Sequence, residues 1–202
     1  VWEDLKTPVL VFLGLRVFLS VAVYLVSPFL PFSYRGVPWS ALPDQPLLDV
    51  WARWDSGWYA SIAEAGYRYS LEQASNVAFL PAYPLAIKAF TLLTGNTWTA
   101  GILVSNLAFL AALIVLFKLT QLKFGRAVAG RAVLYTGAFP AAFFYFGMYG
   151  ESLYLLAVLL SFYFWEKRRD WSGGIAGAVA ALTRPMGMML LLSGAAFHLV
   201  ER

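Results

Sequence analysis

The chain has 202 residues, of which 60% are hydrophobic and only 13% are charged, and its mean hydropathy is +0.67. This composition argues against a soluble domain and predicts an all-α protein that crosses a membrane several times. The formal charge of +4 does not indicate a nucleic-acid partner, because the basic residues cluster between apolar runs, as in cytoplasmic loops. With no cysteine and one histidine, a disulfide framework and a thiolate or histidine metal cluster are excluded, so any metal would be a hard cation held by carboxylates.

The first predicted element is a membrane span at residues 8–30. Its only charged residue is Arg16, which must face the protein interior or reach the headgroups, because exposing a guanidinium to lipid is unfavourable. Residues 31–97 then form a large loop outside the membrane, since their prolines and glycines break any helix into short pieces.

Two short helices are predicted within this loop. The first covers residues 55–66, with Asp55 or Ser56 as its N-cap and Gly66 as its stop. The second covers residues 80–93, about 14 residues, which is short for a membrane span.

Aromatic residues accompany the start of the first short helix. Trp54, Trp58 and Ile62 recur every four residues, which predicts one apolar stripe along this helix. Trp54, Trp58 and Tyr59 offer flat faces for a sugar ring or a lipid headgroup, and Arg53 adds positive charge. The alternative is an aromatic belt at the membrane interface.

Five apolar runs follow the loop. Spans are predicted at residues 98–119, 132–149 and 152–165, with shorter apolar pieces at 171–182 and 186–199. Basic clusters follow the first and third of these spans and are placed in the cytoplasm. With the loop outside and the first basic cluster in the cytoplasm, the chain crosses the membrane once between them. The span at 98–119 supplies that crossing, so the second short helix lies along the membrane surface. The result is about six crossings in a single module spanning the whole chain.

Two carboxylates fall on the outer face in this topology. Asp55 is the candidate general base, able to take a proton from an acceptor hydroxyl; the alternative is a helix cap worth about 1 kcal/mol. Glu151 lies at the mouth of a helical hairpin. It could cap the helix that follows, position the acceptor, or share a divalent cation with Asp55. No other cofactor is expected.

Three further residues are candidates for binding a lipid phosphate or headgroup. Arg184, between two apolar pieces, either pairs with a carboxylate that holds the bundle together or anchors a phosphate. Lys88 either extends toward the interface or contacts a phosphate. Tyr83, in the proline-rich start of the second short helix, either faces a headgroup or belongs to a simple turn.

Four sequence blocks occur in a fixed order. They are Trp-Asp-x-x-Trp-Tyr-x-x-Ile-Ala-x-x-Gly-Tyr at residues 54–67, Phe-Leu-Pro-Ala-Tyr-Pro at 79–84, Tyr-Gly-Glu-Ser-Leu at 149–153 and Leu-Thr-Arg-Pro-Met-Gly at 182–187. This order resembles bacterial relatives of the PIG-V mannosyltransferases, which add the second mannose in glycosylphosphatidylinositol synthesis. They belong to the GT-C superfamily of integral-membrane glycosyltransferases.

The resemblance implies an inverting transfer of a hexose, expected to be mannose, from a polyprenyl-phosphate donor to a lipid or glycan acceptor. It places the reaction on the extracytoplasmic face of the cell membrane, in a first outer loop with two juxtamembrane helices. The family's two loop acids fall on Asp55 and Glu151. Its arginine that is followed by a proline falls on Arg184. Family members are commonly longer, so the chain is expected to be the N-terminal part of a longer architecture.

Two other function classes remain open from the sequence. A non-catalytic membrane subunit or scaffold would use the Trp-Asp block as a helix cap in an aromatic belt. A transporter would need polar residues at mid-depth in several spans, and residues 98–117 and 152–165 offer few.

Overall fold

The computed structural model describes residues 2–29, 33–34, 37–38, 40–72 and 74–200. Regular structure in these residues is helical, apart from an antiparallel pairing of β1 (Ser33–Tyr34) with β2 (Val37–Pro38). The helices are α1 (Trp2–Val26), α2 (Pro46–Asp49), α3 (Ser56–Ala65), α4 (Ala82–Thr94), α5 (Thr97–Phe124), α6 (Arg126–Ala138), α7 (Phe143–Phe146), α8 (Glu151–Glu166), α9 (Asp170–Ala181) and α10 (Met189–Val200). Three short 3₁₀ turns cover Ser27–Phe29, Pro140–Ala142 and Pro185–Met188.

Two of the described helices are long and apolar enough to cross a membrane, namely Asp4–Phe29 and α5. A third crossing results if α6 and Pro140–Phe146 are taken as one span, broken by a 71° bend. Pro140 lies at this break, where it cannot continue the helical hydrogen bonding. The other apolar helices are short: α8 has 16 residues and α9 and α10 have 12 each, against about 20 for a span. The predicted six crossings are therefore not confirmed.

Helix α5 lies at the centre of the bundle, where it contacts α1, α4, α6 and α8. Asn96 starts it, because its side chain accepts hydrogen bonds from the backbone N–H groups of Trp98 and Thr99, both at 3.0 Å. Phe109 and Phe117 on this helix are completely buried. More than half of the apolar window of α5 is fully buried, whereas α1 contributes mainly partly buried side chains, such as Phe12 and Leu15, to the same core.

Arg16 of α1 faces the protein interior, which is one of the two alternatives left open by the sequence. Its guanidinium carbon lies 4.3 Å from the ring centroid of Trp51 and 5.5 Å from that of Phe146. The electron-rich faces of these rings stabilise a cation that the lipid would not. Arg16 thereby connects the first span to the segment that precedes α3.

The two short helices of the loop are present. Helix α3 ends at Gly66, whose φ of 79° requires the left-handed region that glycine adopts freely. The predicted single stripe is wrong, because Trp54 precedes the helix and packs against Phe143 and Phe144 instead. Helix α4 packs on α3 and α5 and, at 13 residues, is too short to span a bilayer.

Candidate active site

The four sequence blocks meet at one end of the bundle. The backbone N–H of Met148 donates to the carbonyl of Trp51 at 2.8 Å, which joins the turn before α8 to the segment before α3. The N–H of Ala82 donates to the carbonyl of Leu182 at 2.9 Å, which joins the start of α4 to the end of α9. Ser56 Oγ donates to the carbonyl of Met148 at 3.1 Å. Residues far apart in the sequence therefore form a single site.

Tyr83 packs beneath this site and is completely buried. Its hydroxyl donates to the carbonyl of Gly101 at 2.9 Å and lies 2.7 Å from Ser105 Oγ, both on α5. The prediction that Tyr83 faces a headgroup is therefore wrong. Its ring instead supports Tyr59, whose ring meets it edge-on at 4.9 Å.

Tyr59 lies on α3 and its hydroxyl faces the turn before α8. Burial, with a further contribution from the charge of Glu151, raises the pKa of Tyr59 to about 12, so the hydroxyl stays protonated at neutral pH. A Cβ at Gly150 would lie 3.4 Å from this hydroxyl and 3.4 Å from the Thr183 methyl group. The turn at Gly150 thus packs closely against both α3 and the Thr183–Arg184 segment.

Asp55 occupies the N-cap position of α3, but among the described residues its side chain makes no capping hydrogen bond. Its backbone is already helical (φ −68°, ψ −12°), whereas a capping residue normally adopts an extended conformation. The residue is exposed, and its charge raises the pKa values of Tyr59, Tyr149 and Glu151. The Asp55 carboxylate therefore does not cap its own helix, and its charge acts on Glu151.

Glu151 and Arg184 form an ion pair, with Oε1 and Nη2 2.8 Å apart. This confirms the interpretation in which Arg184 has a carboxylate partner. The pair is incomplete, since Arg184 is 42% exposed and Glu151 Oε2 is buried without a hydrogen-bond partner among the described residues. Burial raises the pKa of Glu151, the Arg184 charge opposes this rise, and the Asp55 charge adds to it.

Gly187 determines where Arg184 can lie. A Cβ at Gly187 would be 2.3 Å from the carbonyl carbon of Ala180, so only glycine lets this 3₁₀ turn approach the end of α9. The N–H of Gly187 donates to the carbonyl of Arg184 at 2.9 Å, and the N–H of Arg184 donates to that of Ala180 at 3.0 Å. The turn holds Arg184 with its side chain next to Glu151.

Arg53 is anchored by a carboxylate that the sequence analysis did not select. Its Nη2 lies 2.5 Å from Asp49 Oδ2, and Asp49 is only 6% exposed. Burial raises the pKa of Asp49, but hydrogen bonds from Leu42 and Ser40 and the Arg53 charge outweigh it and lower the pKa below its usual value. The one sequence signal was the four-residue spacing of Asp49 and Arg53, typical of helical ion pairs. A substrate contact by Arg53 stays a prediction.

The two tryptophans have different surroundings. Trp58 is half-buried and stacks on Phe79, with ring centroids 6.0 Å apart. Trp54 is 61% exposed and borders a groove of about 860 Å³. The groove is lined mainly by apolar side chains from residues 22–28, from the α2 region and from Phe143. Of the two tryptophans, Trp54 therefore has the more exposed ring.

Lys88 is not brought to the site. It is exposed and borders a separate small pocket of about 150 Å³ beside Gly66 and Tyr67, at the opposite end of α3 from Asp55.

A shared divalent cation fits the described residues poorly. They contain no group of three or more side chains of the metal-binding types. Asp55 and Glu151 would supply only two carboxylates, and the guanidinium of Arg184 beside Glu151 would repel a cation.

Comparison with known proteins gives one match. A family model described as Mannosyltransferase (PIG-V) matches residues 40–198, which include all four sequence blocks. Neither the curated proteins nor the solved structures contain a significant match to the chain.

Proposed function

Since the chain belongs to the PIG-V mannosyltransferase family, we propose that it transfers mannose from a polyprenyl-phosphate donor to an acceptor hydroxyl, with inversion at the anomeric carbon. The reaction takes place at the extracytoplasmic face of the cell membrane. The observation that carries this proposal is the exposed carboxylate of Asp55, which is not used by its own helix and lies near the Glu151–Arg184 pair.

Asp55 acts as the general base. The acceptor hydroxyl gives its proton to the Asp55 carboxylate while its oxygen bonds to the anomeric carbon of the sugar. The bond between that carbon and the phosphate oxygen breaks on the opposite face, and its electron pair leaves with the lipid phosphate. A phosphate leaves without strong acid catalysis, so one base and nearby positive charge suffice.

Arg184 supplies that positive charge. Its partly exposed guanidinium can donate to the phosphate oxygens while Nη2 remains on Glu151. Glu151 fixes the direction of the guanidinium by accepting a hydrogen bond from its Nη2. Trp54 offers an exposed ring to the sugar. The groove beside it is lined mainly by apolar side chains, which suits the hydrocarbon chain of a lipid substrate.

The test uses purified protein in lipid nanodiscs with radiolabelled polyprenyl-phosphate mannose and a membrane-lipid extract as acceptor. Wild type is expected to label a lipid product, and Asp55→Asn to lower the rate at least about 1,000-fold while leaving the thermal unfolding midpoint unchanged. Glu64→Gln, which removes an exposed carboxylate from the other end of α3, is the matched control and should retain full activity.

Two outcomes would contradict the proposal. Turnover by Asp55→Asn at the wild-type rate would remove Asp55 as the base. A wild type that consumes no labelled donor would instead favour a non-catalytic membrane subunit.

A further inference from the structure

We propose that Asp49 is a positioning residue for Asp55 and that it acts through Arg53. This inference rests on the proposed function, because it concerns how the base of that reaction is presented. Asp49 does not contact the reacting groups; it holds the backbone on which Asp55 is placed.

The carboxylate of Asp49 is fully used in fixing the chain around it. Oδ1 accepts hydrogen bonds from Ser40 Oγ at 2.8 Å, from the N–H of Ala41 at 2.7 Å and from the N–H of Leu42 at 2.9 Å. Oδ2 is bound by Arg53. A buried carboxylate with this many donors is held rigidly, and so is the guanidinium that it binds.

Arg53 is also fixed at its backbone. Its carbonyl accepts hydrogen bonds from Tyr149 Oη at 2.8 Å and from the N–H of Ser56 at 3.1 Å. The side chain is therefore tied to the α2 region and the carbonyl to the turn before α8. These two anchors leave little freedom to the residues that follow.

The next residue, Trp54, adopts an unfavourable backbone conformation. Its φ is 47°, in the left-handed region, which is unfavourable for a non-glycine residue and persists only where the surrounding structure imposes it. If Trp54 relaxed to a negative φ, Asp55 could adopt the extended conformation of an ordinary N-cap, and its carboxylate would bond to the start of α3. The Asp49–Arg53 anchor opposes this relaxation and keeps the base available to the substrate.

Asp49→Asn tests this role selectively. The amide oxygen can still accept the hydrogen bonds from Ser40, Ala41 and Leu42. The amide NH₂ group faces the Arg53 guanidinium, and because both groups are donors they cannot bond to each other. We expect kcat to fall about 10- to 100-fold with little change in the KM for the donor lipid, because misplacing the base slows the chemistry and not binding. Asp44→Asn, an exposed neighbour, is the matched control and should leave both constants unchanged.

A double-mutant cycle separates positioning from a general structural effect. In an Asp55→Asn background, Asp49→Asn should lower the residual rate no further, since Asp49 acts only through Asp55. An equal further loss would overturn the proposal. If Asp49→Asn does not fold, Arg53→Lys makes a milder break, because it keeps the charge but loses the planar fork.

A second readout does not depend on activity. The chain has no cysteine, so Asp55→Cys and Glu64→Cys each provide a single thiol for a water-soluble maleimide. Adding Asp49→Asn should raise the labelling rate at position 55 about threefold or more, because a thiol that relaxes onto a helix N-terminus ionises more readily. The rate at position 64 should not change. An unchanged rate at position 55 would overturn the proposal even if wild type transferred no sugar.

Discussion

Among the residues that the structure describes, two arginine–carboxylate pairs lie near the proposed base, and they differ in how completely their hydrogen-bonding groups are used. In the Asp49–Arg53 pair, the aspartate side chain is 9% exposed and both of its oxygens accept hydrogen bonds. In the Glu151–Arg184 pair, one carboxylate oxygen has no partner among the described residues and the arginine side chain is 42% exposed.

This difference distinguishes a structural pair from a pair that can bind a ligand. In the saturated pair, both oxygens of the Asp49 carboxylate accept hydrogen bonds from the protein, so the role of this pair is to hold the chain in place. In the other pair, the Arg184 side chain is partly exposed, so its guanidinium can still donate hydrogen bonds to a substrate phosphate. The same two residue types thus serve different ends because their surroundings differ.

Of the two arginines in these pairs, Arg184 should be the more sensitive to substitution. Arg184→Met should lower the transfer rate about 100- to 1,000-fold, because it removes the charge that stabilises the leaving phosphate. Arg53→Met, its counterpart in the saturated pair, should lower it about 10- to 100-fold, through misplacement of the base. Steady-state rates with labelled donor would check this, and equal losses in the two variants would contradict the distinction.

The two carboxylates should also respond oppositely to pH. The pKa of Glu151 is raised in the folded protein, so the folded state holds this proton more tightly than the unfolded state, and the resulting stability is lost as pH rises through the folded pKa. The pKa of Asp49 is lowered, so its contribution is present above the ordinary pKa of aspartate and is lost as pH falls through the folded pKa.

Thermal unfolding in detergent between pH 3 and 8, with Glu151→Gln and Asp49→Asn as references, would measure these slopes. As the pH falls, the free energy of unfolding of wild type should rise relative to that of Glu151→Gln and fall relative to that of Asp49→Asn. Each slope should be at most about 1.4 kcal/mol per pH unit. Slopes of the same sign would contradict the comparison.

Gly187→Ala should destabilise the turn that carries Arg184 by about 1–3 kcal/mol, because the added methyl group meets the backbone of Ala180. Gly174→Ala on α9 is the control, since a Cβ there meets no atom within 4 Å. Unfolding midpoints measure the effect on stability. The donor KM should rise in Gly187→Ala alone; a rise in both variants would mean that the turn does not position Arg184.

Trp54 should give the smallest effect. Trp54→Gly and Trp54→Ala both remove the ring, but only glycine accepts the positive φ without strain. The glycine variant should therefore be more stable than the alanine variant by about 1 kcal/mol, as read from unfolding midpoints. The reverse order would show that residue 54 is not strained.

Local signals in the sequence predicted local features correctly. Gly66 ends α3 as predicted, because a glycine stop depends only on its own conformational freedom. The stripe that included Trp54 was wrong, because periodicity does not reveal where a helix begins. The burial of Tyr83 could not be read from its own segment, since it depends on Gly101 and Ser105 of α5.

Local sequence patterns alone did not show that the site residues lie close together. The sequence placed Asp55, Glu151 and Arg184 on one face only through charge bias and family resemblance. Asp49 went unnoticed because its importance lies in four hydrogen-bond donors, and three of them belong to residues 40–42, seven to nine positions earlier.

The contact between Arg16 and Trp51 has a consequence for how the protein sits in lipid. Helix α1 packs on α5 and α6 through partly buried side chains such as Phe12 and Leu15 and exposes others such as Phe18. A guanidinium held 4.3 Å from an indole adds a further constraint and joins the helix to the backbone two residues before Arg53. A bilayer whose thickness mismatches α1 would tilt or displace the helix, and the displacement would be transmitted through Trp51 to the segment before α3, which carries the proposed base. The turnover rate should therefore depend on acyl-chain length.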